Sequence, residues 1–150
     1  MNTPHLLRSL TLGLSIALCS ATSHAQTAPA ADDSLFLAFG GQRGLVVLMD
    51  DFMTRLLADA RMNPFFKETD QKHIKEQLVV QFCQLSGGGC KLAKPDMKKH
   101  HSGVDIAMAD FNALVEVLQQ SMDAQGIPFS VQNRLLAKLA PMHREIVNVP

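Results

Sequence analysis

From Leu45 to Ile146, apolar residues return every three or four positions, and no stretch alternates as a half-buried strand would. Leu45, Leu48, Phe52 and Leu56 form one stripe, and Ile74, Leu78, Phe82 and Leu85 a second. Phe111, Leu114, Val115, Leu118 and Met122 form a third, and Val131, Leu135, Leu139, Met142 and Ile146 a fourth. Residues at these spacings share one face of a helix, so each stripe needs a partner to cover it. Four substantial helices and an all-α fold follow. Breakers separate them: Gly40-Gly41, Asn63-Pro64, Gly87-Gly88-Gly89, Pro95, and Gly126 with Pro128. Thr69 or Asp70 can cap the second long helix through its side-chain oxygen.

The N-terminal stretch MNTPHLLRSLTLGLSIALCSATSHAQ has one basic residue, Arg8, an apolar run from Leu10 to Leu18 and the small-residue site Ser23-His24-Ala25. That layout predicts a secretory signal peptide over residues 1–25, its apolar run too short to remain as a membrane span. Cys19 follows Leu18 rather than a small residue, which disfavours a lipid anchor. Residues 26–33 (QTAPAADD) read as a flexible lead-in, and 34–150 as one domain with a real core. An exported chain of this layout is expected in a bacterial periplasm. Removing residues 1–25 takes away Arg8 and no acid, leaving 13 basic against 14 acidic residues. A net charge near zero gives no electrostatic case for nucleic acid or for an anionic membrane as partner.

The chemistry-bearing residues left are few: His73, His100, His101, His143, Cys83 and Cys90, with no Trp or Tyr. There is no nucleophile motif, no phosphate loop and no pair of histidines at metal spacing. Asp50-Asp51 are adjacent on a helix, so their carboxylates diverge and suit a solvated surface better than paired acid–base work. The stretch PDMKKHHSGVDI carries two neighbouring histidines, which cannot close on one ion because helical side chains meet at spacings of three and four. Asp96 lies four residues before His100, and Met97 four before His101. His100 therefore groups with the polar face and His101 with the apolar one. A lone inward histidine is ordinarily a core or surface residue. Here it follows three consecutive glycines and a short helical piece, a loop fitted to bring a histidine against something bulky.

Several stretches in register resemble the group 1 truncated haemoglobins, short globins with two helices stacked on two. They are LFLAFGGQ, DDFMTRLLADARMNPFF, TDQKHIKEQL, the Gly-Gly of LSGGGC, MKKHHSGVDI followed by Phe111, and GIPFSVQNRLLAKLAPMHREIV. The resemblance covers about residues 35 to 147. It implies haem b as cofactor, with His101 at the position of the proximal iron ligand and His100 solvated or near a propionate. Phe66 falls where globins stack a phenylalanine on the porphyrin. Phe52, Thr69, Phe82, Met97, Ile106 and Phe111 fall at haem-contact positions, although ordinary core packing would also account for the apolar ones. The segment APMHRE resembles one in which some cyanobacterial and algal members carry a histidine able to bond to a haem vinyl group. His143 stands there, against the plain alternative of a helix-end histidine near solvent.

The departures from the family lie on the gas-binding side. Met53 stands where the family has a tyrosine, Leu78 where it often has a glutamine, and Ile74 is apolar as well, leaving Gln77 as the nearby donor. A haem protein binding oxygen, nitric oxide or carbon monoxide is the first expectation. Oxidation of nitric oxide by oxygen would need an electron donor that the sequence does not reveal. The alternatives are an electron-transfer or redox-sensing haem protein with Met53 as sixth ligand, and a haemless helical interaction module. A Met/His pair raises reduction potential, whereas methionine in a pocket is more often a space-filler. Finally, Cys83 and Cys90 flank the glycine run in a chain expected in an oxidising compartment, where a disulfide between them persists.

Overall fold

The computed structural model describes residues 32–93 and 96–150. The expected leader over residues 1–25, most of the lead-in and the breaker Pro95 lie outside the described residues. The chain forms α1 (Ser34–Ala38), α2 (Gly41–Ala58), α3 (Asn63–Phe66), α4 (Gln71–Leu85), α5 (Met97–His100), α6 (Met108–Ala124) and α7 (Phe129–Leu139). A 3₁₀ turn over Ala140–Met142 leads into α8 (His143–Ile146). No strand occurs among the described residues.

Local chemistry sets the boundaries. Gly40 takes a left-handed φ of 78° ahead of α2, a conformation that glycine adopts without steric cost. One turn on, a Cβ on Gly44 would overlap the Phe39 carbonyl, so only glycine lets α1 and α2 approach this closely. Pro64 opens α3, where its missing N–H costs nothing. Asp70, rather than Thr69, caps α4: its carboxylate accepts the His73 N–H at 3.0 Å. Thr69 instead donates its hydroxyl to the Phe66 carbonyl at 2.7 Å. Asp96 caps α5 in the same way, accepting from Lys99 N–H at 3.0 Å.

The helices stack two on two. α2 packs against both α4 and α6, and α6 packs against α7 and α8. Between them Leu45, Leu48, Leu56, Met122 and Leu135 lose all solvent exposure. Full burial stabilises each of these side chains by about 2 kcal/mol. The buried Gln132 is satisfied by donating to Asp123 Oδ1 at 2.7 Å and to the Ile127 carbonyl at 2.9 Å, which closes the α6–α7 turn.

The fourth apolar stripe is not one helix. Pro141 has no N–H to give and would clash with the carbonyl four residues back, so α7 stops at Leu139 and the chain passes through the 3₁₀ turn into α8. Asp50 and Asp51 do diverge: Asp51 accepts from Arg55 Nε at 2.7 Å, whereas Asp50 reaches Lys75 Nζ at 2.6 Å. Beyond α2, Arg61 grips Asp59 Oδ2 at 2.8 Å and Glu116 Oε2 at 2.7 Å. The Arg61 hydrogen bonds hold the Asp59 carboxyl down to about 2. Cys83 and Cys90 form a disulfide with Cα atoms 5.6 Å apart, tying the end of α4 to the glycine loop. A Cβ on Gly88 would stand 2.5 Å from the Phe36 ring and 2.7 Å from Cys83 Sγ, so the loop is packed rather than slack.

Candidate functional site

Between α4 on one side and α5 with its following loop on the other lies a cavity of about 460 Å³, within the range of small-molecule sites. The stripes of α4 and α6 form its walls, with α7 and α8 closing one end. Phe111, Leu114 and Val115 of α6 remain half-buried although they sit on an apolar stripe, because their face meets this space and not another helix. Ile74, Leu78 and Phe82 line it from α4, Phe66 and Thr69 from α3 and the turn after it, Phe52 from α2. Met97, His101 and Ile106 close the far wall.

His101 sits at the end of α5, half-buried, and its Nδ1 lies 2.7 Å from the Met97 carbonyl oxygen. That carbonyl can only accept, so Nδ1 carries the proton and Nε2 is left with the lone pair. A metal-ligating histidine is held in this way by its other ring nitrogen. His100 is exposed and touches the cavity only at the rim, where Thr69, His73 and Gln77 are also exposed. No group of three or more His, Cys, Asp or Glu residues able to hold a bare ion occurs among the described residues. One imidazole facing a large apolar slot with a polar rim suits a flat macrocycle that brings its own metal ligands. The residues present therefore fit haem: a nitrogen donor, aromatic walls and a wet edge for anionic groups.

Two expected site residues stand elsewhere. Met53 is buried yet forms no part of the cavity wall, while its neighbour Phe52 does. His143 also lies outside the wall. Its ring packs edge-on against Phe111 with centroids 6.1 Å apart, and its Nδ1 lies 2.7 Å from the Ala140 carbonyl oxygen.

The structure also adds a residue that the sequence reading passed over. Gln81 lines the cavity half-buried, and its amide donates to Met142 Sδ at 3.4 Å. Gln77, the donor picked out from the sequence, is exposed at the edge. The missed signal was legible, since Ile74, Gln77, Leu78, Gln81 and Phe82 follow the i, i+3, i+4, i+7, i+8 pattern of one helical face.

Comparison with known proteins agrees with this architecture. The chain is 30% identical over 113 residues to a group 1 truncated haemoglobin of Mycolicibacterium paratuberculosis, covering 75% of this chain and 83% of that protein. It is 24% identical over 115 residues to one from Nostoc commune, covering 77% of this chain and 98% of the relative. Among solved structures, the ferric truncated haemoglobin of Tetrahymena pyriformis superposes with a TM-score of 0.72 at 24% identity, covering 76% of this chain and 97% of that one. A group II truncated haemoglobin from Bacillus anthracis gives 0.70 at 21% identity, covering 83% and 95%. Residues 34–148 match the bacterial-like globin family, and the chain belongs to that family of haem- and gas-binding proteins as a group 1 truncated globin.

Proposed function

We propose that this chain holds haem b through Nε2 of His101 and binds a diatomic gas, oxygen or nitric oxide, with carbon monoxide as a third ligand. The observation that carries this reading is His101 at the wall of an apolar cavity with its Nδ1 fixed on the Met97 carbonyl. Haem, when bound, would supply the iron that takes such a gas. The chain supplies the rest. Phe66, Phe82, Phe111, Phe52, Met97 and Ile106 would hold the macrocycle by apolar contact, and Thr69, His73, Gln77 and His100 at the rim would offer polar partners for its carboxylates. Ile74 and Leu78 keep the gas side dry, so Gln81 is the half-buried amide available there.

Export to the periplasm belongs to the same proposal. The leader-like N-terminus motivates it, and the Cys83–Cys90 bridge supports it, since such bridges persist in oxidising compartments. Any catalytic turnover of nitric oxide would need an external electron donor.

The deciding experiment is a visible spectrum of the purified protein, ferric and ferrous, beside His101→Ala and His100→Ala. The wild type and His100→Ala should show a Soret band, and His101→Ala should lose haem on gel filtration. Equal retention in both variants would remove His101 as the ligand. A six-coordinate ferrous wild type would reopen the redox reading.

A further inference from the structure

The C-terminal tail grips the loop that follows His101. Asn148 Nδ2 donates to the His101 carbonyl at 3.1 Å and to the Val104 carbonyl at 2.7 Å. Its Oδ1 accepts the Ile106 N–H at 2.8 Å. The backbone N–H groups of Asn148 and Val149 both donate to the Ile106 carbonyl, at 3.0 and 3.3 Å. Both amide hydrogens and the amide oxygen of one side chain are thus used on a single loop, 42 to 47 residues away in sequence.

We propose that Asn148 is the positioning residue for His101, and this rests on the haem reading above. α5 is a single turn of four residues, too short to hold its own geometry. The Met97 carbonyl fixes the imidazole relative to that turn, so whatever fixes the turn fixes the ring in the cavity. At the N-terminal end the turn is held by Asp96. At the C-terminal end the Lys99 carbonyl accepts the Ser102 N–H at 3.3 Å and the Ser102 hydroxyl at 2.7 Å, whereas the backbone offers the His101 carbonyl the Val104 N–H at 3.4 Å. Asn148 adds a shorter bond to the His101 carbonyl and donates to the Val104 carbonyl beyond it. Gly103 takes a φ of +88° in between, which lets the loop bend back to present both carbonyls to one amide. The clasp also holds Val104 and Ile106, two cavity-wall residues, so the same side chain sets the ring and its surroundings.

Asn148→Asp separates positioning from packing, because it keeps the shape and the acceptor, removes both donors, and places a carboxylate against two carbonyls. Asn148→Ala removes the acceptor as well. Three readouts decide the matter on the protein as purified: the ferrous iron–histidine stretching band, the rate of hemin transfer to apomyoglobin, and the amide exchange of Ile106. Asn148→Asp should shift the band and release hemin about tenfold faster, the size of one lost hydrogen bond. Asn148→Ala should do the same and also raise Ile106 exchange by about tenfold. Val117→Ala, a core truncation away from the loop, should lower the melting temperature and leave the band in place. A wild-type band and release rate in Asn148→Asp would overturn the proposal, as would unchanged Ile106 exchange in Asn148→Ala. If the wild type takes up no hemin, the haem reading fails, while the Ile106 comparison still decides whether Asn148 holds the loop.

Discussion

Replacing Cys90 with Ser isolates what the disulfide contributes. The bridge spans a sequence separation of 7, and the chain-entropy relation for a loop of that size gives about 2.4 kcal/mol at 25 °C. For a domain of this length, 1 kcal/mol moves the melting temperature by about 4 °C, so the loss should be about 10 °C. Cys90 is the right position because it is half-buried, and a serine hydroxyl there still reaches water. Cys83 has no exposure, so Cys83→Ser would bury an unpartnered hydroxyl and lose about 1 to 3 kcal/mol more. Calorimetry or far-ultraviolet circular dichroism on the wild type, with and without reductant, and on both variants gives the test. Reduced wild type and Cys90→Ser should melt together, with Cys83→Ser below them. A shift under about 3 °C for Cys90→Ser would mean the crowded Phe36–Gly88 contact already restrains the loop, and the entropic account would be wrong.

Gly44→Ala should destabilise by about 3 kcal/mol through the collision with the Phe39 carbonyl, seen as a lowered urea midpoint at unchanged slope. Asp59 has its carboxyl lowered from 3.8 to about 2. Its stabilising contribution is therefore complete above about pH 4 and lost as pH falls through 2, so the melting temperatures of wild type and Asp59→Asn should converge at pH 2. His143 lies off the cavity wall with Nδ1 on a carbonyl, so haem should extract completely into acidified organic solvent after reduction; retained haem would establish a bond to the chain. Gln81→Leu should speed oxygen dissociation by about tenfold and leave carbon monoxide dissociation nearly unchanged, measured by stopped flow. An unchanged oxygen rate would exclude Gln81 as the donor.

What the sequence made legible was whatever depends on spacing along one helix. The stripes of α2, α4 and α6, the Gly40 start and the outward turn of His100 all follow from side-chain periodicity and local φ, which a few residues determine. The Pro141 break was masked because the apolar residues on either side keep the same spacing through a 3₁₀ turn, so periodicity alone carries one helix across it. Asn148 was invisible for a different reason: its partners are carbonyls and N–H groups, which every residue carries, so nothing in the letters at 101, 104 or 106 marks them as a binding partner for residue 148. Met53 shows the limit of register. Matching the family's tyrosine position places it beside Phe52 on α2, and neighbouring helical residues face different ways: Phe52 lines the cavity and Met53 is buried next to it.

On the proposed function the distal donor stands on α4 instead of α2, which changes what can tune the site. A donor at position 53 would stand among the buried residues of α2, whose neighbours Leu48, Met49 and Leu56 have essentially no solvent exposure. Gln81 is instead half-buried and shares its amide with a thioether, a weak acceptor on the 3₁₀ turn before α8. The cost of turning that amide from Met142 toward a gas is therefore small, and it depends on where α8 sits. α8 also packs against α5, which carries the turn ending at His101, and the chain just beyond α8 holds Asn148. One C-terminal segment thus touches both sides of the cavity, through Met142 on Gln81 and through Asn148 on the loop of His101. On the proposed function this contact path would couple gas-side polarity to the histidine's orientation, so a substitution such as Met142→Leu, which frees the Gln81 amide, should slow oxygen dissociation and shift the iron–histidine band together. A change in the first without the second would show that the two sides respond independently.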